Sequence, residues 1–288
     1  MALVVNTNVT ALRTRNALNT ATNAASDAMH RMSTGYKINS AGDNAAGFMI
    51  SKGLETQISG SDICVDNAQN GINILQTAEG TLGTIQDNLL RMRDLCLQSM
   101  NGGYSQTEIQ ALSDEATARA LEIDRIADSS KFNNFQIFDK TKTADASKML
   151  LQVGTGAAEA TNTIGIENVF YGSTLSCLTG DTSFAAADLT FVGKDRAQME
   201  EILGKLDAAI QNASARRGAI GVSINRLESA VDALTVQKEN LTSSHSSLVD
   251  ADIAEESAEY TKQYILQQAT TSLLAQANQT PSLALSLI

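Results

Sequence analysis

The strongest constraint on the fold is an apolar repeat of seven in the C-terminal half. Met199, Leu206, Ala213, Ile220, Leu227, Leu234, Leu241 and Leu248 stand seven apart. Leu203, Ile210, Ile224 and Val231 fill companion positions, and Arg217, Lys238 and His245 interrupt them. A seam sustained over this length marks a long helix packed in the manner of a coiled coil. At about 1.5 Å per residue it would run roughly 75 Å. A second stripe stands in the N-terminal half: Leu54, Ile58, Val65, Ala68, Ile72, Leu75, Leu82, Ile85, Leu89, Met92 and Cys96, at spacings of three, four and seven. The matched lengths predict antiparallel packing of the two helices.

A shorter third helix is predicted after residue 105. Ser105 and Glu108 have capping-box spacing, and Ile109, Leu112, Ala116, Ile123 and Ala127 form one face. The period then changes. Met149–Val153 and Thr161–Ile166 read as strands of a hairpin joined by the small-residue loop Gly154–Ala160. Residues 172–195 are rich in Gly, Ser, Thr and Asp and read as loop with at most one more short strand. The fold class expected is mainly α: a long antiparallel helical rod with a small β-hairpin region at its far end.

The two ends carry an unusual pattern. Val4, Ala11, Leu18, Ala25 and Met32 stand seven apart, and Leu266, Ala269, Leu273 and Ala277 share a helical face. Residues 263–288 contain no charged side chain, although 13 of the 26 are apolar. Gln, Asn, Thr and Ser tolerate burial once hydrogen-bonded, whereas Lys and Glu rarely do. These nine positions are therefore expected to be buried by other copies of the chain. A basic polar face suited to a membrane surface is missing. Pro281 is expected to break or kink the helix that reaches it.

Composition removes several function classes. The chain has 288 residues with 21 basic against 32 acidic side chains, which disfavours nucleic-acid binding. Three cysteines exclude a disulfide-stapled domain, and two histidines 215 positions apart exclude a paired-histidine zinc motif. Cys96 falls on the apolar stripe and is expected in the core, while Cys177 is expected in an exposed loop. Gly154-Thr155-Gly156 lacks the Gly-Lys-Ser/Thr that completes a phosphate loop, and reads as a hairpin loop. Asp250, Asp252, Glu255 and Glu256 read as acids at a helix start rather than a metal cluster. Residues 1–12 carry no charge, so a basic leader with a cleavage site is not expected, and no apolar run reaches 18 residues. No catalytic constellation, cofactor site or metal site emerges.

Several ordered segments resemble flagellins. Arg31–Ser51 reads RMSTGYKINSAGDNAAGFMIS; the opening Val5-Asn6-Thr7-Asn8, Asn67–Leu82 (NAQNGINILQTAEGTL), Asn88–Leu95 (NLLRMRDL) and Leu121–Asn134 (LEIDRIADSSKFNN) are similar as well. So are Ala213–Leu227 (ASARRGAIGVSINRL), Ser247–Glu256 (SLVDADIAEE) and Gln276–Leu287 (QANQTPSLALSL). Roughly residues 1–140 and 197–288 are covered, and the short middle implies a minimal form without large outer domains. The three cysteines depart from a family typically poor in them.

The resemblance implies a non-enzymatic subunit that self-assembles into the extracellular filament of the bacterial flagellum for swimming, exported without a cleaved signal peptide. It implies as partners other copies of itself, the flagellar export apparatus and an export chaperone, and the hook-associated junction and cap proteins. It also implies recognition of the monomer by the flagellin-sensing Toll-like receptor through Arg91, Leu95 and Glu115. Cofactors, nucleic acid and membrane are not expected. The domains expected are 1–45 and 251–288 as the two halves of an inner terminal helical domain. Residues 46–196 would form the outgoing helices and hairpin of the rod domain, and 197–250 its returning helix. The alternatives are a hook–filament junction protein of the flagellum and a soluble coiled-coil adaptor.

Overall fold

The computed structural model describes residues 7–138, 148–167, 169–181 and 184–285, with backbone alone at 159–160 and 280–285. The chain is mainly helical. In order it forms α1 (Val9–Thr34), α2 (Ala45–Ser99), α3 (Gln106–Ser129), β1 (Lys131–Phe132), β2 (Phe135–Gln136), β3 (Met149–Gln152), α4 (Glu159–Asn162) and β4 (Thr163–Ile166). Then come α5 (Leu175–Thr179), a 3-10 turn (Ala186–Leu189), α6 (Arg196–Val249) and α7 (Ile253–Leu285). Two compact units result: Ser59–Lys238, and the terminal stretches Met1–Ile58 with Glu239–Ile288. Their bounds fall inside α2 and α6.

The larger unit realises the heptad. Met199, Leu206, Ala213, Ile220, Leu227 and Leu234 of α6 are all buried, as are Ala68, Ile72, Leu75, Leu82, Ile85, Leu89, Met92 and Cys96 of α2. Cross-helix contacts give the direction. Arg93 Nε donates to Asp207 Oδ1 at 2.6 Å, Gln86 Nε2 to Ser214 Oγ at 3.2 Å, and Lys238 pairs with Asp62. Residue numbers rise on one helix as they fall on the other, so the pair is antiparallel. Two of the residues that interrupt the companion positions, Arg217 and Lys238, reach partners across the seam. Arg217 Nη1 donates to Gln86 Oε1 at 2.8 Å and Arg217 stands 3.5 Å from Glu79. A long cation can therefore lie along the seam with its stem among apolar neighbours and its head on the partner helix.

α3 closes this core with Ala116, Ala120, Ile123 and Ala127, all fully buried. It starts at the expected capping box: Glu108 N–H donates to Ser105 Oγ at 3.4 Å, and Ser105 N–H donates to Glu108 Oε2 at 2.7 Å. β3 and β4 pair antiparallel with Met149 opposite Ile166 and Gln152 opposite Thr163. Ile164 and Ile166 face the core from β4. α2 carries Gly71 where this hairpin arrives, and a Cβ there would overlap the Leu151 side chain.

Two features of the larger unit differ from the sequence expectation. First, residues 131–136 form a second small hairpin, β1–β2, turned by Asn133 and Asn134 at φ 44° and 65°. Left-handed Asn pairs suit the tight turn whose twist matches that of its strands. Second, the segment 172–195 forms α5 and the 3-10 turn rather than a strand. Side chains of the neighbouring helices hold it by polar contacts. Asp124 Oδ1 accepts the Leu175 N–H at 2.9 Å, and Asn212 Nδ2 donates to the Leu178 carbonyl at 2.7 Å. Ser113 Oγ donates to the Leu189 carbonyl at 3.1 Å and accepts the Phe191 N–H at 3.2 Å. With Leu175, Leu178, Phe184, Leu189 and Phe191 buried, the segment is part of the core.

In the smaller unit α1 lies antiparallel to α7. Thr22 pairs with Gln267 (3.1 Å) and Arg31 with Glu256 (3.3 Å). α1 ends at Gly35, whose φ of 76° gives the left-handed cap that glycine adopts without a Cβ penalty. The chain then pairs with the α6–α7 junction: Lys37 N–H donates to the Val249 carbonyl at 2.7 Å and Ala251 N–H to the Gly35 carbonyl at 2.8 Å. Asp252 Oδ1 accepts the Ala254 N–H at 2.8 Å, the cap that the acidic run Asp250–Glu256 suggests. α7 runs on through Pro281 to Leu285, so the helix does not break there. Pro281 has no N–H to give the Ala277 carbonyl one turn earlier. Asn8 Nδ2 supplies a donor to that carbonyl at 2.7 Å.

Candidate assembly surfaces

The inner face of α1 is built of small residues. Ala21, Ala25 and Ala28 are buried, while Ala11, Leu18 and Met32 of the predicted heptad are half-buried. Val4 lies outside the described residues. Small side chains let a second helix approach closely, and that helix, α7, presents mostly polar groups to it. Glu256, Tyr260, Gln263, Gln267, Thr270 and Leu274 are half-buried and Ala277 is buried.

The apolar residues of α7 lie to one side of that packed face. Leu266 is 43% exposed and Leu273 57%, Ala269 is also exposed, and Ile265 beside them is 58% exposed. Of the four positions read from the α7 sequence as a buried face, the single chain buries only Ala277. Register explains this. Alternating steps of three and four place residues 256, 260, 263, 267, 270, 274 and 277 on one side, and 266, 269 and 273 on another. Apolar area left on the charge-free stretch of α7 from residue 263 on is a surface built for covering. α1 adds Val9, Leu12 and Met29, each more than half exposed.

The larger unit presents a different surface on α2 and α3. Arg91 and Glu115 form a bidentate pair, Nε to Oε1 at 3.1 Å and Nη2 to Oε2 at 3.3 Å. Arg119 Nε reaches the same Glu115 oxygen at 3.0 Å, and its Nη1 donates to Asn88 Oδ1 at 3.1 Å. The hydrogen bonds from Arg91 and then Arg119 hold the Glu115 carboxyl below the usual glutamate range. The structure thus brings Arg91 and Glu115 together at the surface. Leu95, one turn along α2, is fully buried and faces the core.

One charged residue went unnoticed in the sequence. Arg216 is buried, with its guanidinium 3.5 Å from the Tyr171 ring centroid and Nη1 donating to the Gly172 carbonyl and Ser173 Oγ, both at 2.7 Å. Burial pushes its pKa down, partly offset by Tyr171. It clamps the chain before α5 against α6. Its signal was hidden in the Arg-Arg pair at 216–217, since the companion-position count accounts for Arg217 alone. Among the described residues no group of His, Cys, Asp and Glu is arranged to hold a metal ion, and no helix is long and apolar enough to cross a membrane.

Residues 5–143 match the bacterial flagellin N-terminal helical region, and residues 203–288 the bacterial flagellin C-terminal helical region. The chain is 35% identical over 303 residues to a flagellin of Bacillus subtilis (strain 168), covering 99% of each. It is 35% identical over 286 residues to a flagellin of Halalkalibacterium halodurans, covering 99% of this chain and all of that one. A solved structure of a putative flagellar hook-associated protein from Vibrio parahaemolyticus shares the fold, with a TM-score of 0.59 at 16% identity, over 72% of this chain and 100% of that one. Two helical regions matched in order, joined by a middle short enough for full-length alignment with small relatives, place this chain in the flagellin family, a family of structural proteins.

Proposed function

We propose that the chain is the subunit of the extracellular flagellar filament and that the outward face of α7 is buried by other copies when it polymerises. The observation that carries this reading is the exposure of Ile265, Leu266 and Leu273 on a segment without charge. In the single chain this face costs solvation free energy, whereas in a polymer it contributes to assembly. Eight of the nine positions read from the two ends divide the work, Val4 lying outside the described residues. Ala11, Leu18, Ala25, Met32 and Ala277 hold α1 to α7, and Leu266, Ala269 and Leu273 meet neighbouring subunits. The activity is mechanical and not enzymatic. Family membership supports, as part of this reading, export without a cleaved leader, passage through the flagellar export apparatus with a chaperone, and contacts with hook-associated junction and cap proteins.

The test is the double substitution Ile265→Gln with Leu273→Gln. Both side chains are exposed in the monomer, so helical circular dichroism should be unchanged. Under polymerising conditions the full chain should pellet as long filaments and the variant should stay in the supernatant. A variant that pellets like the parent rejects the assignment. A junction protein or a soluble adaptor would form no long filaments even with the parent sequence.

A second surface reading is favoured by the Arg91–Glu115 pair. We infer that a flagellin-sensing Toll-like receptor reads the monomer here, with Arg91 and Glu115 as contacts and buried Leu95 shaping the helix beneath them. Arg91→Ala should weaken receptor signalling at equal monomer concentration, since a bidentate interface arginine is worth roughly 2 kcal/mol. Unchanged signalling rejects it.

A further inference from the structure

We propose that Asn101 is a self-modification site of the folded chain, converting through a cyclic imide into aspartate and isoaspartate. The chain contains two Asn-Gly dipeptides, 70–71 and 101–102, and the fold treats them oppositely. Asn101 lies in the turn between α2, which ends at Ser99, and α3, which begins at Gln106. Asn101, Gly102 and Gly103 are all exposed. Asn101 N–H donates to the Gln98 carbonyl at 3.2 Å, and its own carbonyl accepts the Tyr104 N–H at 3.4 Å. Among the described residues no acceptor takes the Gly102 N–H. The attacking nitrogen is therefore open to solvent, and the one hydrogen bond on its peptide group is the long 3.4 Å contact from Tyr104 N–H.

The reaction needs nothing beyond water. The Gly102 backbone nitrogen loses its proton to solvent base and bonds to Asn101 Cγ. The Cγ–Nδ2 bond breaks and ammonia leaves, closing a five-membered imide. Water then adds to one of the two imide carbonyls and breaks one C–N bond. Opening on one side gives aspartate. Opening on the other gives isoaspartate, with the chain routed through the former side-chain carboxyl.

Geometry decides which asparagine reacts. The next nitrogen must swing against Cγ, which a helical ψ near about −42° prevents. Gly102 adds no side chain in the way, and a Cβ there would meet nothing within 4 Å. Asn70 and Gly71 sit in the middle of α2, where the Gly71 N–H belongs to the helix ladder. Gly71 is also buried against Leu151 and Leu227, so its backbone is held on both counts. The new carboxylate at 101 would lie just past the C-terminal end of α2, where the helix dipole disfavours negative charge. The isoaspartate form would lengthen the turn that places Tyr104 Oη to accept from Gln98 Nε2 at 2.8 Å.

The test is peptide mapping of the full chain after incubation at mildly alkaline pH, with chromatographic separation of the two acidic isomers. The Asn101 peptide should become one mass unit heavier and split into two species, more than about tenfold faster than the Asn70 peptide. In denaturant the two sites should react alike. Gly102→Ala has room for its methyl and should slow conversion at Asn101 by about tenfold without changing helical circular dichroism, because the methyl crowds the attacking nitrogen in the same way that side chains restrict backbone rotation. The proposal is overturned if Asn101 reacts no faster than Asn70 in the native chain, or if Gly102→Ala leaves its rate unchanged.

Discussion

Asn8 and Ala277 are joined across the terminal helix pair by one hydrogen bond, Nδ2 to carbonyl oxygen, at 2.7 Å. The other end of the same side chain caps α1: Oδ1 accepts the Ala11 N–H at 3.0 Å. One amide therefore starts one helix and gives a donor to the turn of the other that Pro281 cannot serve. Asn8→Asp keeps the cap acceptor and loses the donor, whereas Asn8→Ala loses both. Loss of the cap should cost about 1 kcal/mol of local stability. Hydrogen exchange should show reduced protection at residues 270–280 in both variants, and at residues 9–13 in Asn8→Ala alone. Loss confined to α1 in both would show that the Ala277 contact does not hold α7.

Glu115 supplies a pH-dependent prediction. Its carboxyl is held low by Arg91 and then Arg119. A depressed carboxylate contributes stability that is present above its unfolded pKa and lost as pH falls through its folded one. The α2–α3 contact should thus weaken in the acid range, below about pH 4. Arg91→Ala should raise the Glu115 pKa toward the ordinary glutamate value, with Arg119 keeping part of the depression. Carboxyl titration by NMR measures this, and an unmoved Glu115 would show that Arg119 alone sets it. Both partners are more than a third exposed, so global stability should change little.

The thiols should separate by burial. Cys96 is fully buried, donates to the Met199 carbonyl, and has its pKa pushed up to about 11 by desolvation. Cys64 is buried with its pKa also raised, and Cys177 on α5 is half-exposed. A thiolate-selective reagent should modify native Cys177 first, with Cys64 and Cys96 reacting only as the larger unit opens. Equal rates in the native protein would contradict the packing of α5, whereas equal rates in denaturant are expected.

The parts legible in the sequence are those that a helical period dictates. The seam Met199–Leu234 is buried at every seventh residue, and the Ser105–Glu108 box starts α3 where its spacing says. What escaped depends on partners distant in sequence. Segment 172–195 has no period of its own and takes its shape from Asp124, Asn212, Ser113 and Arg216. The Asn133-Asn134 turn was readable from two left-handed-tolerant residues between Phe132 and Phe135, but strands of two residues carry no alternation to count. On α7 the sequence shows the apolar positions, and the single chain leaves Leu266, Ala269 and Leu273 exposed while burying Ala277. A sequence shows which residues share a helix face, and only the Ala-rich surface of α1 decides which face it receives.

Removal of residues 263–288 tests how far assembly depends on the end of α7. The contacts of the larger unit among α2, α3 and α6 involve none of these residues, so its core should persist. Circular dichroism should lose the helical signal of the deleted segment and of α1, which forfeits Gln267, Leu274 and Ala277 and the acceptor for Asn8. The deleted stretch holds 13 apolar residues. At even about 1 kcal/mol for each one buried between subunits, its loss exceeds what a subunit contact can forgo. Sedimentation under polymerising conditions should leave the truncated chain soluble while the full chain pellets. Long filaments from the truncated chain would move the assembly surface away from α7, to the exposed apolar side chains of the larger unit such as Leu121 and Val222.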